Sequence, residues 1–380
     1  MTSKPVVLII ENSVALTGAL KSIARTSYDL KEFFHFHFVI PKGSKGRLWI
    51  EGNGFQSIWE LPMKEISRRL FGGLIYLPYL FVNAIRLNAL IKSNKVALVH
   101  VNDLYNLLPV VVRLFGSRTP YVCHIRFLPD RFPPWLFNFW LKLHLRYASR
   151  IVAVSQTVLD QLNSHPKLIL IHGELPSEER YPELVISESL NASFTFLYLS
   201  NFMQGKGQDY ALEAFARVCQ KLPNWKLRFI GGDMGMGKNQ DYRETLKERA
   251  KALGVFDRTE WKEFTGEVEG EYKQADIVLN FSESESFSMT CVEALYFGRP
   301  LIATDCGGPS EIIDHLETGV LVPNRGLNEM ADAMLNLATH SSLRNKMAIN
   351  GRMAVRERFS IERTSYRLRA VYNNAIHDTI

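Results

Sequence analysis

The stretch ESESFSMTCVEALYFGRPLIATDCGGPSEII, residues 283–313, decides the fold of this chain. An apolar run at 277–281 precedes it and predicts a buried strand. The spacing of apolar residues over 288–297 predicts a helix, which Gly298 ends. Residues 299–304 predict a second strand, followed by a glycine-rich loop and another helix. This order predicts a βαβ unit whose two polar loops follow the carboxyl ends of parallel strands, where ligands bind in open α/β sheets.

Two carboxylates in this unit have a spacing that suits a nucleotide ligand. Glu285 precedes the predicted helix, and Glu293 lies two turns later on roughly the same side, where it can accept hydrogen bonds from a vicinal diol. The loop 285–289 would present backbone N–H groups at a helix N-terminus, which favours a diphosphate. The pair Gly307-Gly308 would let the backbone approach a ligand closely. The alternative is two solvated helix carboxylates and an ordinary turn, because such spacings are common by chance.

The whole string resembles the retaining family-four glycosyltransferases (glycosyl transferases group 1), which have the GT-B fold. The matching positions are Glu285, Phe287, Glu293-Ala294, Gly298-Arg299-Pro300 and Gly307-Gly308-Pro309-Ser310-Glu311. Ser288 is a departure, because the family usually has glycine there. The resemblance is strong from about 194 to 325 and general over 1–175. It implies an α/β protein with two Rossmann-like domains facing a cleft, and a C-terminal helix that crosses back to the first domain.

The domain boundaries follow from length, composition and the resemblance. A chain of 380 residues is long enough for two domains. We predict an acceptor-binding Rossmann-like domain over 1–175 and a polar, proline-containing linker over 176–193. The resemblance then implies a nucleotide-sugar donor-binding domain over 194–355 and the returning helix over 356–380.

Composition indicates a globular protein without a membrane-spanning segment. The chain is 46% hydrophobic and 22% charged, and its four cysteines show no Cys-x-x-Cys spacing, which favours reduced thiols. The N-terminal ten residues lack the layout of a signal peptide. The most apolar long segment, 74–91, is interrupted by Asn83, Arg86 and Asn88. We therefore expect a cytoplasmic location, either free or peripheral on the inner face of the cytoplasmic membrane.

Charge is distributed unevenly and indicates an anionic partner. Residues 1–185 hold 22 Lys and Arg against 13 Asp and Glu, or +9, and the remainder holds 23 against 26, or −3. No nucleic-acid-binding motif accompanies the basic half, so nucleic acid is not expected as a partner. Residues 127–150 combine Trp135 and Phe139 with Lys142 and Arg146, which suits an anionic membrane surface. The alternative is a core helix with basic ends.

The resemblance implies a donor site in the second domain. The family pattern places an Arg before a Lys-Gly pair to hold the donor diphosphate; Lys206-Gly207 match, and Asn201 replaces the Arg. A glycine turn containing Gly232-Asp233 follows a predicted strand. By resemblance, Glu293 holds the ribose, Glu285 orients the sugar, and Lys206 stabilises the leaving diphosphate. The full predicted donor-binding set is Asn201, Lys206, Gly207, Gly232, Asp233, Glu285, Phe287, Ser288, Met289 and Glu293.

In the first domain, His124 matches a family histidine near the donor sugar. It ends a predicted strand, 121–125, and we predict it to be catalytic together with Glu285 and Lys206; the alternative is a half-buried strand histidine. The loop after the first strand lies over the acceptor site in the family. The predicted acceptor-binding residues are Ser13, Thr17, Gly18 and Arg126. A plain strand-to-helix turn is the alternative for the first three.

The predicted function is retaining transfer of a hexose-type sugar from a nucleotide diphosphate sugar to a glycan or lipid-linked acceptor, in bacterial surface-polysaccharide synthesis. No cofactor and no metal are expected, because the sequence has no Asp-x-Asp motif or His cluster. Two alternatives stay open. The departures at Asn201 and at His172, which precedes Gly173 where the resembled family has Asn-Gly, suggest an inactive GT-B carbohydrate-binding or scaffold protein. A nucleotide-sugar epimerase shares the architecture.

Overall fold

The computed structural model describes residues 4–63, 72–175, 193–265 and 268–378. The chain divides into two compact units: Met1–Pro176 with Ile361–Ile380, and Ser177–Ser360. Each unit is built on a parallel β-sheet covered by helices, as the GT-B resemblance predicts. The predicted linker residues 176–192 and the predicted helical residues 64–71 lie outside the described part of the chain.

The first unit contains a seven-stranded sheet in the order β3-β2-β1-β4-β5-β6-β7. Its strands are β1 Val6–Ile10, β2 His35–Pro41, β3 Ile58–Leu61, β4 Val96–Val101, β5 Tyr121–Ile125, β6 Arg150–Ala153 and β7 Leu168–Leu170. All neighbouring strands are parallel. The strand order reverses between β1 and β4, so the loops after these two strands form the switch point at which ligands bind in such sheets.

Helices cover this sheet on both faces. They are α1 Gly18–Asp29, α2 Gly46–Gly52, α3 Gly72–Ser93, α4 Leu108–Leu114, α5 Pro134–Tyr147 and α6 Gln156–Asp160. The sequence analysis did not predict a helix at α2 or α4. The helix α2 begins at Gly46, where a Cβ atom would lie 2.2 Å from Cδ2 of Leu20, so glycine lets α2 pack closely on α1.

The C-terminal helix α14, Ile361–His377, belongs to the first unit. It packs against α1, β4 and β5. Its buried residues Leu368, Val371, Tyr372 and Ala375 recur at helical spacing and join the hydrophobic core of that unit. This confirms the predicted return of the C-terminal helix to the first domain. The division falls at Ser360, where the preceding helix has ended.

The second unit contains a six-stranded parallel sheet in the order β10-β9-β8-β11-β12-β13. Its strands are β8 Phe194–Leu199, β9 Trp225–Ile230, β10 Thr259–Lys262, β11 Ile277–Asn280, β12 Leu301–Asp305 and β13 Val320–Pro323. Its helices are α7 Gln208–Val218, α8 Gly237–Ala252, α9 Glu269–Lys273, α10 Met289–Tyr296, α11 Gly308–Ile312, α12 Leu327–Thr339 and α13 Ser341–Phe359. The predicted βαβ unit is therefore β11-α10-β12.

Parallel pairing brings the functional loops of the second unit together. The central strands β8 and β11 are neighbours, with β9 beside β8 and β12 beside β11. Because parallel strands end at the same edge of a sheet, the loops that follow these four strands meet there. These loops carry most of the residues predicted to bind the donor.

Candidate functional site

Lys206 and Glu285, which were both predicted to be catalytic, form an ion pair in the second unit. Lys206 Nζ donates to Glu285 Oε1 at 2.7 Å, and the two side chains are 22% and 16% exposed. An ammonium group has three N–H donors, so Lys206 can contact a second anion without leaving Glu285. The pair is therefore a partly buried charged group at the loop edge of the sheet.

The backbone around Lys206 is fixed by a glycine and a buried tyrosine. Gly207 has φ +78°, and a Cβ atom there would lie 2.0 Å from the carbonyl oxygen of Phe281. The hydroxyl of Tyr198 donates to the carbonyl oxygen of Lys206 at 2.5 Å and accepts from the N–H of Phe281 at 2.8 Å. Burial raises the pKa of Tyr198, so its hydroxyl stays neutral. These contacts tie the Lys206 loop to the loop that carries Glu285.

The Glu285 loop is held in turn by the glycine pair. The Glu285 N–H donates to the carbonyl of Cys306 at 3.3 Å, and the Gly308 N–H donates to the carbonyl of Glu285 at 2.8 Å. A Cβ atom on Gly308 would lie 2.2 Å from the carbonyl oxygen of Phe287. The close approach that the sequence analysis assigned to a ligand is, at Gly308, an approach of one loop to another. The ring of Phe287 is buried and packs edge-on against Phe359.

Ser288 begins α10 in a backbone conformation that favours glycine. Its φ is +91°, which explains why the resembled family usually has glycine here. The Ser288 hydroxyl accepts from Asn280 Nδ2 at 2.8 Å and from the N–H of Cys291 at 3.4 Å, so it caps the helix. These bonds offset the backbone strain. The first-turn N–H groups of α10, including that of Met289, form the positive end of the helix dipole.

Glu293 lies on α10 and is oriented by a buried tyrosine. Tyr272, which is fully buried, donates from its hydroxyl to Glu293 Oε2 at 3.2 Å. Burial, and then the charge of Glu293, raise the pKa of Tyr272. The side chain of Glu293 itself is half-buried. A carboxylate held in this way can accept hydrogen bonds in a fixed direction.

Asn201 connects the Lys206 loop to the glycine turn after β9. Its Oδ1 accepts from the N–H of Gly232 at 3.3 Å. Asp233 Oδ1 accepts from the N–H of Gly235 at 2.7 Å, which lowers the pKa of the Asp233 carboxyl. The side chains of Asn201 and Asp233 thus stabilise this turn. A cation that the sequence analysis missed, Arg243, lies over the ring of Phe202 with its Cζ 5.1 Å from the ring centroid.

In the first unit, His124 belongs to a buried chain of aromatic side chains. Its Nδ1 lies 2.6 Å from Nε2 of His100, and the planes of the two rings are inclined by 29°. His100 Nδ1 contacts the hydroxyl of Tyr372 on α14. Burial, and then the charge of Arg126, lower the pKa of His124 well below its usual value and that of His100 to about 3. Both imidazoles are therefore neutral at physiological pH.

Arg126 and Ser13 share one hydrogen-bond network around Glu11. Arg126 Nε donates to Asn102 Oδ1 at 2.7 Å, and Asn102 Nδ2 donates to Glu11 Oε2 at 2.5 Å. Glu11 Oε1 accepts from the N–H groups of Asn12 and Ser13 at 2.9 and 3.1 Å. The network thus connects the loops after β1, β4 and β5 at the switch point, and it brings two of the predicted acceptor residues together.

The other two predicted acceptor residues lie at the start of α1. Thr17 Oγ1 accepts from the N–H of Leu20 at 3.2 Å and caps the helix, and Gly18 is the exposed first residue of α1. Ser13 Oγ similarly accepts from the N–H of Ala15 at 3.2 Å. These local bonds agree with the strand-to-helix turn that was the alternative interpretation. An acceptor-binding role for these residues stays a prediction.

Sequence reasoning missed the residues that act through contacts between distant segments. It assigned no role to Tyr198, Tyr272 or Tyr372. Asn280, which bonds to Ser288, could have been recognised from the sequence, because a polar residue that ends a buried apolar strand is unusual. Across the described ranges, no three His, Cys, Asp or Glu side chains are grouped as a metal site. In the same ranges no helix has the length and apolar content needed to cross a membrane.

Two family models match the chain, one in each unit. Residues 183–354 match Glycosyl transferases group 1, and residues 62–172 match Glycosyltransferase Family 4. These matches, with the two Rossmann-like sheets, show the GT-B fold of the glycosyltransferases. Each model covers less than half of the chain, and together they show that both units are similar to the glycosyltransferase families that the models describe.

Curated relatives are similar over part of their length. An uncharacterized glycosyltransferase of Haemophilus influenzae is 28% identical over 170 residues, which are 44% of this chain and 46% of that protein. The D-inositol 3-phosphate glycosyltransferase of Kribbella flavida is 32% identical over 178 residues, 45% of this chain and 41% of that protein. The chain thus spans somewhat less than half the length of the curated relatives it matches.

Solved structures agree over nearly the whole chain. Anabaena HepE in complex with UDP and glucose superposes with a TM-score of 0.82 at 18% identity, covering 97% of this chain and 99% of HepE. Sucrose-phosphate synthase from Thermosynechococcus elongatus superposes with a TM-score of 0.81 at 18% identity, covering 99% of this chain and all of that one. At this identity the likeness establishes the GT-B fold.

Substitution of Ser288 separates backbone strain from helix capping. Ser288→Ala removes the cap and keeps the strained φ, so we expect a loss of about 1–2 kcal/mol in the free energy of unfolding. Ser288→Gly also removes the cap but relieves the strain, so it should cost only a few tenths of a kcal/mol. Urea unfolding of both variants measures the difference. An alanine variant as stable as the glycine variant would show that the strain is not real.

Glu174 in the first unit should give a pH-dependent stability. This buried carboxyl accepts from Ser22 Oγ at 2.9 Å, and burial raises its pKa to about 7. As pH rises from about 4.5 to 7, the unfolded chain releases the proton while the folded chain keeps it. The free energy of unfolding of the wild type should therefore fall relative to Glu174→Gln, by at most about 3 kcal/mol.

Thermal melts of both proteins between pH 4.5 and 8 test this. The melting temperature of Glu174→Gln should exceed that of the wild type by an increasing margin up to about pH 7. The exposed Glu32→Gln is the matched control and should show a constant margin. A constant margin for Glu174→Gln as well would contradict the raised pKa.

Proposed function

We propose that this protein transfers a hexose-type sugar from a nucleotide diphosphate sugar to a glycan or lipid-linked acceptor, with retention at the anomeric carbon, in bacterial surface-polysaccharide synthesis. The observation that carries the proposal is the Lys206–Glu285 ion pair beside the capped N-terminus of α10. Solved structures of HepE contain UDP and UDP-glucose, which supports a nucleotide-sugar donor. A structure of TarM contains UDP and alpha-GlcNAc-glycerol, which supports a glycan-type acceptor.

The second unit supplies what a diphosphate and a ribose need. Lys206 keeps N–H donors for a phosphate oxygen, and the N–H groups at the start of α10 favour negative charge. Glu293, oriented by Tyr272, would accept hydrogen bonds from the ribose diol. Glu285, which is ion-paired with Lys206, would orient the hydroxyls of the sugar.

The proposed chemistry is a front-face substitution at the anomeric carbon. The bond from that carbon to the phosphate oxygen breaks, and the bond to the acceptor oxygen forms on the same face. The departing phosphate oxygen takes the acceptor's proton, so no protein base is required. Lys206 and the N-terminus of α10 stabilise the negative charge that develops on the leaving group. We assign this task to these groups and to no metal ion.

Binding and turnover of the donor test the proposal. We expect one of UDP, GDP, ADP or CMP, with its sugars, to raise the melting temperature of the wild type selectively. Glu293→Ala should weaken that nucleotide at least about tenfold, because the ribose loses hydrogen bonds to a charged group. Lys206→Ala should lower turnover by about a hundredfold or more, because the leaving group loses its cation.

The exposed Glu248→Ala is the matched control and should change neither result. Nucleotide binding without turnover of any donor would favour the inactive carbohydrate-binding alternative, which the replacement at Asn201 motivates. Interconversion of a nucleotide sugar without transfer would instead identify an epimerase. Absence of a shift with every nucleotide would overturn the donor-binding proposal.

We also propose that the acceptor is presented at an anionic membrane surface, to which the first unit binds. Leu77, Phe81 and Ile85 lie at four-residue intervals on α3 and are 50%, 50% and 62% exposed, so they form one apolar stripe. The ring of Phe115, at the end of α4, lies 6.1 Å from that of Phe81. The helices α3, α4 and α5 carry five Lys or Arg residues and no Asp or Glu. Such a surface complements anionic lipid.

The helix α5 combines both interpretations offered by its sequence. Phe137 and Trp140 are buried, as expected of a core helix. Trp135 and Phe139 are 71% and 51% exposed, which keeps the membrane interpretation open for the outer face. An amphipathic helix with this division both covers its sheet and presents aromatic side chains to a surface.

Co-sedimentation with lipid vesicles tests the membrane proposal. The wild type should bind phosphatidylglycerol-containing vesicles and not phosphatidylcholine vesicles. Changing Leu77 and Phe81 together to Ser should weaken binding at least about tenfold, because two apolar side chains no longer enter the bilayer. Tyr366→Ser on α14, which removes a side chain that is 75% exposed, is the control and should bind normally. Unchanged binding by the double variant would exclude the α3 stripe as the membrane surface.

A further inference from the structure

The buried chain Tyr372, His100 and His124 connects the C-terminal helix to the predicted catalytic histidine. Tyr372 lies on α14, His100 on β4 and His124 at the end of β5. Tyr372 and His100 are fully buried, and His124 is 4% exposed. The contacts are Tyr372 hydroxyl to His100 Nδ1, and His100 Nε2 to His124 Nδ1 at 2.6 Å. Both ring nitrogens of His100, and Nδ1 of His124, therefore each have one defined neighbour.

Proton counting allows two arrangements of this chain. Each neutral imidazole carries one N–H, and the short contact between the histidines requires one N–H and one lone pair. In the first arrangement, Tyr372 donates to His100 Nδ1, His100 Nε2–H donates to His124 Nδ1, and His124 carries its proton on Nε2. In the second arrangement, all of these directions are reversed, and His124 carries its proton on Nδ1.

The tyrosine hydroxyl decides between the two arrangements. In the second, the Tyr372 oxygen accepts from His100, and its own O–H must find another acceptor. Among the residues that the structure describes, this hydroxyl has no hydrogen-bond partner besides His100. A buried O–H without an acceptor is disfavoured by roughly tenfold or more in equilibrium terms. The first arrangement leaves no buried donor unpaired.

We infer that Tyr372 is a positioning residue that, through His100, holds His124 in the tautomer with the proton on Nε2. This inference rests on the proposed function and on the role near the donor sugar that the sequence analysis predicts for His124. The outward atom of His124 is then a hydrogen-bond donor, suited to a sugar oxygen. Its Nδ1 accepts from His100, so His124 does not act as the base that takes the acceptor's proton. This agrees with the proposed transfer of that proton to the departing phosphate.

The charge of Arg126, beside these three side chains, favours the neutral state of His100 and His124. Arg126, two residues after His124 on the same strand end, lowers the pKa of both histidines, after burial as the main cause. Glu11, Asp103 and Glu174 surround Arg126 and act on its own pKa in the opposite sense to burial. The positive charge of Arg126 therefore disfavours a second proton on either imidazole.

A matched pair of variants tests the inference. Tyr372→Phe removes only the hydroxyl, while the ring stays packed edge-on against Phe34. Tyr121→Phe is the control, because the buried Tyr121 hydroxyl makes an equivalent contact at 3.2 Å to a different histidine, His144. Both variants lose one buried tyrosine–histidine hydrogen bond, so their stabilities should fall by similar amounts.

The decisive measurement is the tautomer of His124 by ¹⁵N NMR of histidine-labelled full-length protein, with His124→Asn used to assign the signals. In the wild type, and in Tyr121→Phe, Nε2 should carry the proton and Nδ1 should not. In Tyr372→Phe, a clear population of the Nδ1–H tautomer should appear. A wild-type proton on Nδ1, or an unchanged tautomer in Tyr372→Phe, would overturn the inference.

Kinetics distinguish failure of the inference from failure of the proposed function. With the donor found by the thermal-shift panel, Tyr372→Phe should lower kcat about tenfold with KM changed less than about threefold, and Tyr121→Phe should change neither. Full turnover by His124→Asn would contradict the predicted catalytic role of His124 while leaving the tautomer result intact. Equal kinetic losses in Tyr372→Phe and Tyr121→Phe would reduce Tyr372 to a structural residue.

Discussion

The close approach of backbone segments at the carboxyl edge of the second sheet is the constraint on which the candidate site depends. Gly207 meets the carbonyl of Phe281, and Gly308 meets the backbone of Phe287, at distances that no Cβ atom allows. Because these loops pack backbone to backbone, their side chains converge as well. The 2.7 Å ion pair between Lys206 and Glu285 is a consequence of that packing.

Hydrophobic periodicity predicted the main elements well where an element buries a continuous apolar run. The predicted strands and helix of the central βαβ unit agree with β11, α10 and β12 to within about two residues. The helix α4 was missed because its sequence, LPVVVRL, is rich in β-branched residues that favour strands. The helix α2 was missed because it is short and leaves Leu48 79% exposed, so it shows no amphipathic pattern.

The residues of the candidate site, too, could be predicted only where the signal lies in a local stretch of sequence. Motif residues such as Lys206 and Glu285 were predicted because their spacing along the chain carries the signal. Tyr198 was not predicted, because its hydroxyl bonds both to Lys206 and to Phe281, which lies 83 positions after Tyr198. Within an apolar strand pattern, nothing marks that hydroxyl as important. Tyr372 lies 272 positions from its histidine partner. Contacts of that kind arise only from the tertiary fold.

The replacement of the expected Arg by Asn201 changes how charge is balanced in the site. A bound diphosphate would meet Lys206, whose ammonium already has Glu285 as a partner, and the amide oxygen of Asn201 accepts from the N–H of Gly232. With one cation fewer, the positive end of α10, equivalent to roughly half a unit charge, would carry a larger share of the stabilisation of that diphosphate. That share depends on the position of the first helical turn. The hydroxyl of Ser288, anchored by the buried Asn280, fixes that turn, and under the proposed function it would contribute to charge stabilisation without touching the phosphate itself.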